Sequence, residues 1–81
     1  MNSLSKVALV TGAGTGIGKI TALSLLEEGY SVVLAGRRGE LLEETKSESG
    51  DSGSRTLIVP TDVGSPESVR ELFTKSLETF G

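Results

Sequence analysis

Four glycines at alternate positions constrain the fold of this chain more than any other feature. They follow the apolar run Val7-Ala8-Leu9-Val10 and are Gly12, Gly14, Gly16 and Gly18. Glycine in a helix start costs up to about 1 kcal/mol relative to alanine, so folding alone does not account for all four. Backbone N–H groups at a helix N-terminus bind phosphate where no Cβ blocks the approach. We predict a phosphate-binding turn between a strand and a helix, with a glycine-rich connection without a ligand as the alternative.

Short β-rich segments alternate with helix-like segments along the rest of the chain. The first strand is predicted over 6–11, and its continuously apolar centre indicates burial on both faces. The second and third strands are predicted over 31–35 and 56–59. The resulting order, β-α-β-α-β-α, predicts an α/β fold with three parallel strands and right-handed crossovers.

Three helices are predicted between and after these strands. The first covers 17–28 and ends at Gly29, a residue suited to a left-handed cap, and the second covers 40–46. The polar segment 47–54 is expected to be a mobile loop. The third starts after Ser65, a capping residue followed by proline. The apolar stripe of the first helix is Ile17, Ile20, Leu23 and Leu26, and that of the third is Val69, Leu72, Phe73, Leu77 and Phe80.

Length, charge and composition exclude several classes of function. A chain of 81 residues makes one domain at most. Its net charge of −3 argues against nucleic acid or an anionic membrane as a partner, because both require a basic surface. Without cysteine or histidine, a metal site is not expected. No apolar run reaches the length of a secretory or membrane segment, so a cytoplasmic location is expected.

Two related phosphate-binding motifs do not fit the glycine segment. The triphosphatase loop G-x-x-x-x-G-K-[ST] would place Gly18-Lys19 correctly, but Ala13 replaces its first glycine and Ile20 its magnesium-binding hydroxyl. The general dinucleotide pattern G-x-G-x-x-G also fails in its spacing. The spacing present is T-G-x-x-x-G-I-G over 11–18.

This motif, with Ala35-Gly36-Arg37-Arg38 after the second strand and Thr61-Asp62-Val63 after the third, resembles the short-chain dehydrogenase/reductase family. The resemblance covers essentially the whole chain. It implies a partial Rossmann fold, part of a doubly wound parallel sheet. It also implies that 1–81 form the N-terminal part of an NAD(P)-binding domain, without a second domain. The implied activity is oxidoreduction of a carbonyl or alcohol by the parent protein.

The residues that close the second strand favour NADP(H) over NAD(H). A dinucleotide fold that binds NAD places an acid there, on the adenosine ribose, whereas this chain has Gly36 followed by Arg37. A guanidinium holds phosphate by paired, charge-assisted hydrogen bonds. The resemblance implies that Arg37 contacts the 2′-phosphate and that Arg38 stacks on or flanks the adenine. The alternative is a solvated arginine pair at a helix start, where cations are unfavourable.

The resemblance also assigns roles around the adenine and the phosphates. Asp62 would accept a hydrogen bond from the adenine amine and Val63 would cover the ring edge, although Asp62 before Gly64 is equally a turn-forming residue. Thr15 offers its hydroxyl to the loop or to phosphate. The predicted cofactor-binding residues are Gly12, Gly14, Thr15, Gly16, Ile17, Gly18, Arg37, Arg38, Asp62 and Val63.

The family's catalytic residues have no counterpart in this sequence. A Tyr-x-x-x-Lys pair is absent because Leu34 follows Tyr30 by four positions, so we assign no catalytic residue and expect the chain alone to be inactive. The expected partner is the C-terminal part of the parent fold, and the resemblance implies a homo-oligomeric parent. Without that part the first strand is an edge, so loose folding or self-association is expected. The alternatives are a stand-alone dinucleotide-binding or interaction module and, less favoured without an acid after the second strand, an S-adenosylmethionine-dependent methyltransferase.

Overall fold

The computed structural model describes residues 6–81 and has a three-layer α/β arrangement. Its strands are β1 (Val7–Thr11), β2 (Ser31–Gly36) and β3 (Thr56–Pro60). Its α-helices are α1 (Gly16–Glu27), α2 (Gly39–Glu48) and α3 (Pro66–Phe80), and a 3-10 helix covers Gly50–Arg55. The predicted β-α-β-α-β-α order and the partial Rossmann class are confirmed. Within residues 6–81, no helix combines the length and apolar character that crossing a membrane requires.

The sheet is parallel, and β2 lies at its centre. Val7 of β1 faces Ser31 of β2, and Val32 of β2 faces Thr56 of β3. β2 and β3 therefore each pair with the strand that precedes them in the chain. Side chains of a strand alternate between the two faces, and both faces of β2 are covered. One core cluster combines Val32 and Leu34 with side chains of α1 and α2. The other combines Val33 and Ala35 with side chains of β3 and α3.

The first strand packs on both faces, as predicted, but its burial is incomplete. Val10 packs against the first core cluster and Leu9 against the second, whereas Val7 at the start of the strand is 42% exposed. The physical reason is that β1 has a single neighbouring strand within residues 6–81 and forms an edge of the sheet. Its continuous apolar run therefore exceeds what β2 and α1 cover.

Helix α1 packs through a narrower face than its sequence predicts. Ala22 and Leu26 are buried against β2, whereas Ile17 and Ile20 are exposed. The predicted stripe is thus wrong in its N-terminal half, because no other element described in the structure covers that side of the helix. The predicted end of the helix is confirmed, since Gly29 has a φ of 96° and follows the C-terminal cap.

The polar segment after the second helix is ordered into helices, and its prediction as a loop is wrong. Helix α2 extends to Glu48, and a 3-10 helix continues over Gly50–Arg55. The Arg55 guanidinium donates hydrogen bonds to the carbonyls of Tyr30 and Leu26 and to the Ser52 hydroxyl. A polar segment without apolar residues is therefore fixed by hydrogen bonds to the end of α1.

The start of α3 agrees with the sequence, but its apolar stripe does not. The Ser65 hydroxyl accepts a hydrogen bond of 3.3 Å from the Ser68 N–H, and Pro66 is the first helical residue. Leu72 is buried, whereas Phe73 and Leu77 are exposed. Because α3 packs on β2 and β3, only one row of the stripe reaches the core.

Candidate functional site

The candidate site lies at the edge of the sheet where all three strands end. Because the strands are parallel, the loops that follow Thr11, Gly36 and Pro60 leave the sheet at the same edge. Ligands of open α/β sheets bind at this edge. The three loops carry the glycine segment, the arginine pair and the Asp62-Val63 pair, so the topology brings the three motifs to one end of the molecule.

The glycine loop, residues 12–15, connects β1 to α1. It makes a tight turn that is possible only with glycine at position 18, in the first turn of α1. A Cβ on Gly18 would lie 2.1 Å from the carbonyl oxygen of Gly12, a backbone atom that cannot give way without moving the loop. Gly12 and Gly16 have φ values of 65° and 57°. The turn therefore brings the first loop residue against the first turn of α1.

The N-terminus of α1 faces this loop with unsatisfied backbone donors. Thr15 is the N-cap residue, but its side chain makes no capping hydrogen bond, and the first turn contains no acidic residue. The first N–H groups of a helix lack intrahelical partners and carry the positive end of the helix dipole. This arrangement suits an anion such as a phosphate.

The carbonyl and N–H of Ala13 fix the loop to the two elements beside it. The Ala13 N–H donates to the carbonyl of Ala35 in β2, at 3.0 Å. The Ala13 carbonyl accepts a hydrogen bond of 2.8 Å from the Thr45 hydroxyl of α2. Ala13 and Thr45 are fully buried. Sequence reasoning missed both residues, because Ala13 is at an unspecified position of the glycine motif and Thr45 lies outside any motif.

A cavity of about 230 Å³ lies between the glycine loop and the start of α2. Gly12, Gly14 and Thr15 line one side. The other side is lined at the end of β2 by Gly36, Arg37 and Arg38, and from α2 by Leu41 and Leu42. Five of the predicted site residues therefore meet in one cavity. Leu41 and Leu42 were missed as site residues, although they are the only apolar residues in the predicted second helix.

The two arginines differ in their surroundings. Arg38 donates from Nε to the Glu40 carboxylate at 2.8 Å, and its Nη2 lies 2.8 Å from the same oxygen. A backbone hydrogen bond at Glu40 and the Arg38 guanidinium hold the pKa of this carboxyl below its usual value. Arg37 is exposed and makes no side-chain hydrogen bond or ion pair within residues 6–81. Of the pair, Arg37 has the guanidinium that is open to a ligand.

Asp62 forms a turn, the alternative that its sequence context left open. Its Oδ1 accepts a hydrogen bond of 2.9 Å from the Gly64 N–H, and its own N–H donates to the Ser68 hydroxyl at 2.9 Å. Asp62 and Val63 are exposed and do not line the cavity. Gly16, Ile17 and Gly18 also lie outside the cavity wall, and Ile17 is 83% exposed.

Known proteins are similar to this chain in sequence and in fold. The short chain dehydrogenase family matches residues 6–81. An uncharacterized oxidoreductase of Staphylococcus aureus strain USA300 is 47% identical over 76 residues, which are 94% of this chain and 32% of that protein. An alcohol dehydrogenase of the archaeon Thermococcus sibiricus, solved with 5-hydroxy-NADP, is similar with a TM-score of 0.88 and 38% identity over 95% of this chain and 33% of that one. A 3-ketoacyl-(acyl-carrier-protein) reductase of Brucella melitensis, solved with NADH, has a TM-score of 0.85 and 34% identity over 94% and 30%.

An α/β fold with a glycine loop at the carboxyl edge of its parallel sheet defines a broad class of nucleotide-binding proteins. Within that class, the chain belongs to the short-chain dehydrogenase family, because the family match covers residues 6–81. It spans about a third of the length of the relatives it matches. The family is one of oxidoreductases, so the matches favour that interpretation over a stand-alone module or a methyltransferase.

Proposed function

We propose that residues 1–81 are the N-terminal, dinucleotide-binding part of an NADP(H)-dependent oxidoreductase that acts on a carbonyl or alcohol. The observation that carries this proposal is the cavity, which has the glycine loop on one side and Arg37 on the other. A dinucleotide with a 2′-phosphate requires both an anion-binding turn and a cation at this edge of the sheet. Catalytic residues are not assigned to this chain.

The turn supports binding of the diphosphate that all nicotinamide dinucleotides share. Uncapped N–H groups at the start of α1 lie beside a loop with no Cβ at Gly12, Gly14 or Gly16. Residues 16–18 would support the diphosphate from the helix side, outside the cavity wall. The two solved relatives hold 5-hydroxy-NADP and NADH, so the family fold accepts either type of dinucleotide. The choice between them in this chain therefore rests on the residues after β2.

The residues after β2 favour the phosphorylated cofactor. Arg37 is exposed at the cavity, and the preceding position, Gly36, carries no carboxylate that would repel a phosphate. We assign Arg37 to the 2′-phosphate and the guanidinium plane of Arg38, which Glu40 holds in place, to the adenine face. Asp62 keeps its proposed place at the adenine edge through Oδ2, since Oδ1 accepts the Gly64 N–H.

The test of this proposal is an Arg37→Ala variant of the intact gene product. A hydrogen bond to a charged group contributes about 1.5–3 kcal/mol, so we expect NADPH to bind about ten- to a hundredfold more weakly. NADH lacks the 2′-phosphate, and its affinity should change by less than about twofold. Titration calorimetry with each dinucleotide measures both quantities.

Arg70→Ala is the matched control, because it removes an exposed guanidinium from α3, away from the cavity. The control should leave both affinities unchanged, which separates a local phosphate contact from a change in net charge. An equal loss of NADPH and NADH affinity in Arg37→Ala would contradict the assignment of Arg37. Failure of the unmodified protein to bind either dinucleotide would contradict the proposed function itself.

Replacing Glu40 with glutamine should strengthen NADPH binding. The Glu40 carboxylate lowers the positive charge around Arg37 and Arg38, and this effect disappears in the glutamine variant. The amide oxygen of glutamine can still accept the Arg38 hydrogen bond, so the place of Arg38 at the adenine is kept. Because the pair is exposed, we expect a gain of only about two- to fivefold for NADPH and none for NADH. Glu71→Gln, on the exposed side of α3, is the control for the change in net charge. A gain of the same size in both variants would refute a local role for Glu40.

A further inference from the structure

Thr45 is a buried polar residue in the middle of α2 whose hydrogen bond serves another part of the fold. Its hydroxyl donates to the Ala13 carbonyl at 2.8 Å and lies 3.3 Å from the Leu41 carbonyl. A threonine in a helix normally satisfies its hydroxyl within the helix. Here the shorter contact crosses to a loop 32 positions earlier in the chain, and the side chain is fully buried.

The same face of α2 makes two further contacts, one with the glycine segment and one with α1. A Cβ on Gly14 would lie 2.7 Å from the Leu41 Cβ, so the loop backbone passes close to α2 at this point. One turn beyond Thr45, Glu48 pairs with Lys19 of α1. Thr45 lies between these contacts and is the one that holds a loop backbone atom by a hydrogen bond.

The bond matters because Ala13 is held from both sides. Its N–H donates to Ala35 of β2, and its carbonyl accepts from Thr45 of α2. The Ala13 carbonyl and the Gly14 N–H belong to one planar peptide unit, so the hydrogen bond from Thr45 also orients the Gly14 N–H in the proposed diphosphate-binding loop. A buried carbonyl that loses its donor costs free energy, and the loop would rotate to recover it.

We propose that Thr45 is a positioning residue for the dinucleotide, acting through the Ala13 carbonyl to hold the phosphate-binding loop. This inference rests on the proposed function, because it assigns the loop to the diphosphate. Thr45 does not touch the cofactor. Its effect should therefore be the same for NADPH and NADH, in contrast to that of Arg37.

The test compares Thr45→Val with Thr45→Ser in the intact gene product. Valine keeps the shape and removes the donor, and we expect both dinucleotides to bind about three- to tenfold more weakly, with their affinity ratio unchanged. Serine keeps the donor and should bind within about twofold of the original protein. Should the valine variant not fold, Thr45→Ala removes the hydroxyl without added bulk.

A ligand-free measurement separates this inference from the proposed function. Amide hydrogen exchange at Ala13 should be about three- to tenfold faster in Thr45→Val and unchanged in Thr45→Ser. The matched control is Thr56→Val, which removes a hydroxyl that donates to the Gly53 carbonyl at 2.6 Å, at the opposite end of the sheet. The control should alter neither Ala13 exchange nor cofactor affinity.

Three outcomes would overturn the inference. Equal effects of the Thr45 and Thr56 valine variants would reduce Thr45 to a general stabilising role. A loss confined to NADPH would place its action at the 2′-phosphate. Faster Ala13 exchange in Thr45→Val with no change in affinity would show that the hydrogen bond exists but does not position a ligand. Absence of dinucleotide binding in the original protein would remove the proposed function, whatever the exchange at Ala13.

Discussion

Replacing Gly18 with alanine is expected to abolish useful cofactor binding in the intact gene product. The new Cβ would lie 2.1 Å from the Gly12 carbonyl oxygen and 2.6 Å from its carbon, so the loop must move away from α1. Loss of two charge-assisted hydrogen bonds, each about 1.5–3 kcal/mol, predicts at least about hundredfold weaker binding of both NADPH and NADH. Titration with each dinucleotide measures this loss.

The same substitution should lower the free energy of unfolding by less than it raises the free energy of cofactor binding. Overpacking costs about 1–3 kcal/mol, and alanine returns about 1 kcal/mol of helix propensity, so the net loss is about 0–2 kcal/mol. Gly39→Ala is the matched control, since its Cβ would meet only Pro60 at an ordinary 3.4 Å. It should be neutral or stabilising. Full affinity in Gly18→Ala would show that the loop does not hold the diphosphate.

Replacing Leu42 with alanine is expected to cause the largest loss of stability among the substitutions considered. Leu42 is fully buried in the core cluster that joins α1, α2 and β2, and its Cδ2 would lie 3.3 Å from a Cβ on Gly36. Truncation of a buried leucine costs about 2–5 kcal/mol through lost burial and the cavity left behind. Urea unfolding of the intact gene product measures the change.

The neighbouring Glu43→Ala substitution is the control for Leu42. It shortens an exposed side chain on the same helix, and we expect a change within about 0.5 kcal/mol. Leu42 also lines the cavity, so the core and the proposed cofactor site share this side chain. If Leu42→Ala lowered the free energy of unfolding as little as Glu43→Ala does, α2 would contribute little to the stability of the fold.

The sequence predicts the strands and the location of the site because those features depend on local chemistry. A continuous apolar run, four alternate glycines and a Ser-Pro helix start each act over a few residues. Parallel pairing then brings the ends of the strands to one edge, and the glycine loop and Arg37 follow from that topology. Element boundaries differ from the predicted ones by a few residues at most, except after α2.

The sequence does not predict features that depend on what lies opposite a residue. Ile17, Ile20, Phe73 and Leu77 have helical spacing, but exposure depends on which neighbours cover each face. The 3-10 helix is held by Arg55, whose partners lie on α1 and before β2. The hydrogen bond from Thr45 to Ala13 likewise joins residues far apart in the chain. Contacts of this kind leave no periodic or motif signal.

The arginine pair shows why a motif predicts a kind of residue better than its individual role. Two adjacent arginines after β2 are equivalent in the sequence, yet Glu40 neutralises Arg38 and not Arg37. Asp62 is similar, because the Gly64 N–H occupies one of its oxygens. Their assignments to phosphate and adenine remain predictions, and the Arg37 and Glu40 variants test the first of them.

The register of the sheet has a consequence for the order in which the chain acquires structure during synthesis. Val7 faces Ser31 and Val32 faces Thr56, so each new strand docks on the strand made just before it, across an equal interval of chain. No strand described here waits for a later one to separate it from its neighbour. Domains generally fold as units. All residues of β1, α1 and β2 have been made once Gly36 is added, and β3 can pair with β2 without any rearrangement of the strands before it.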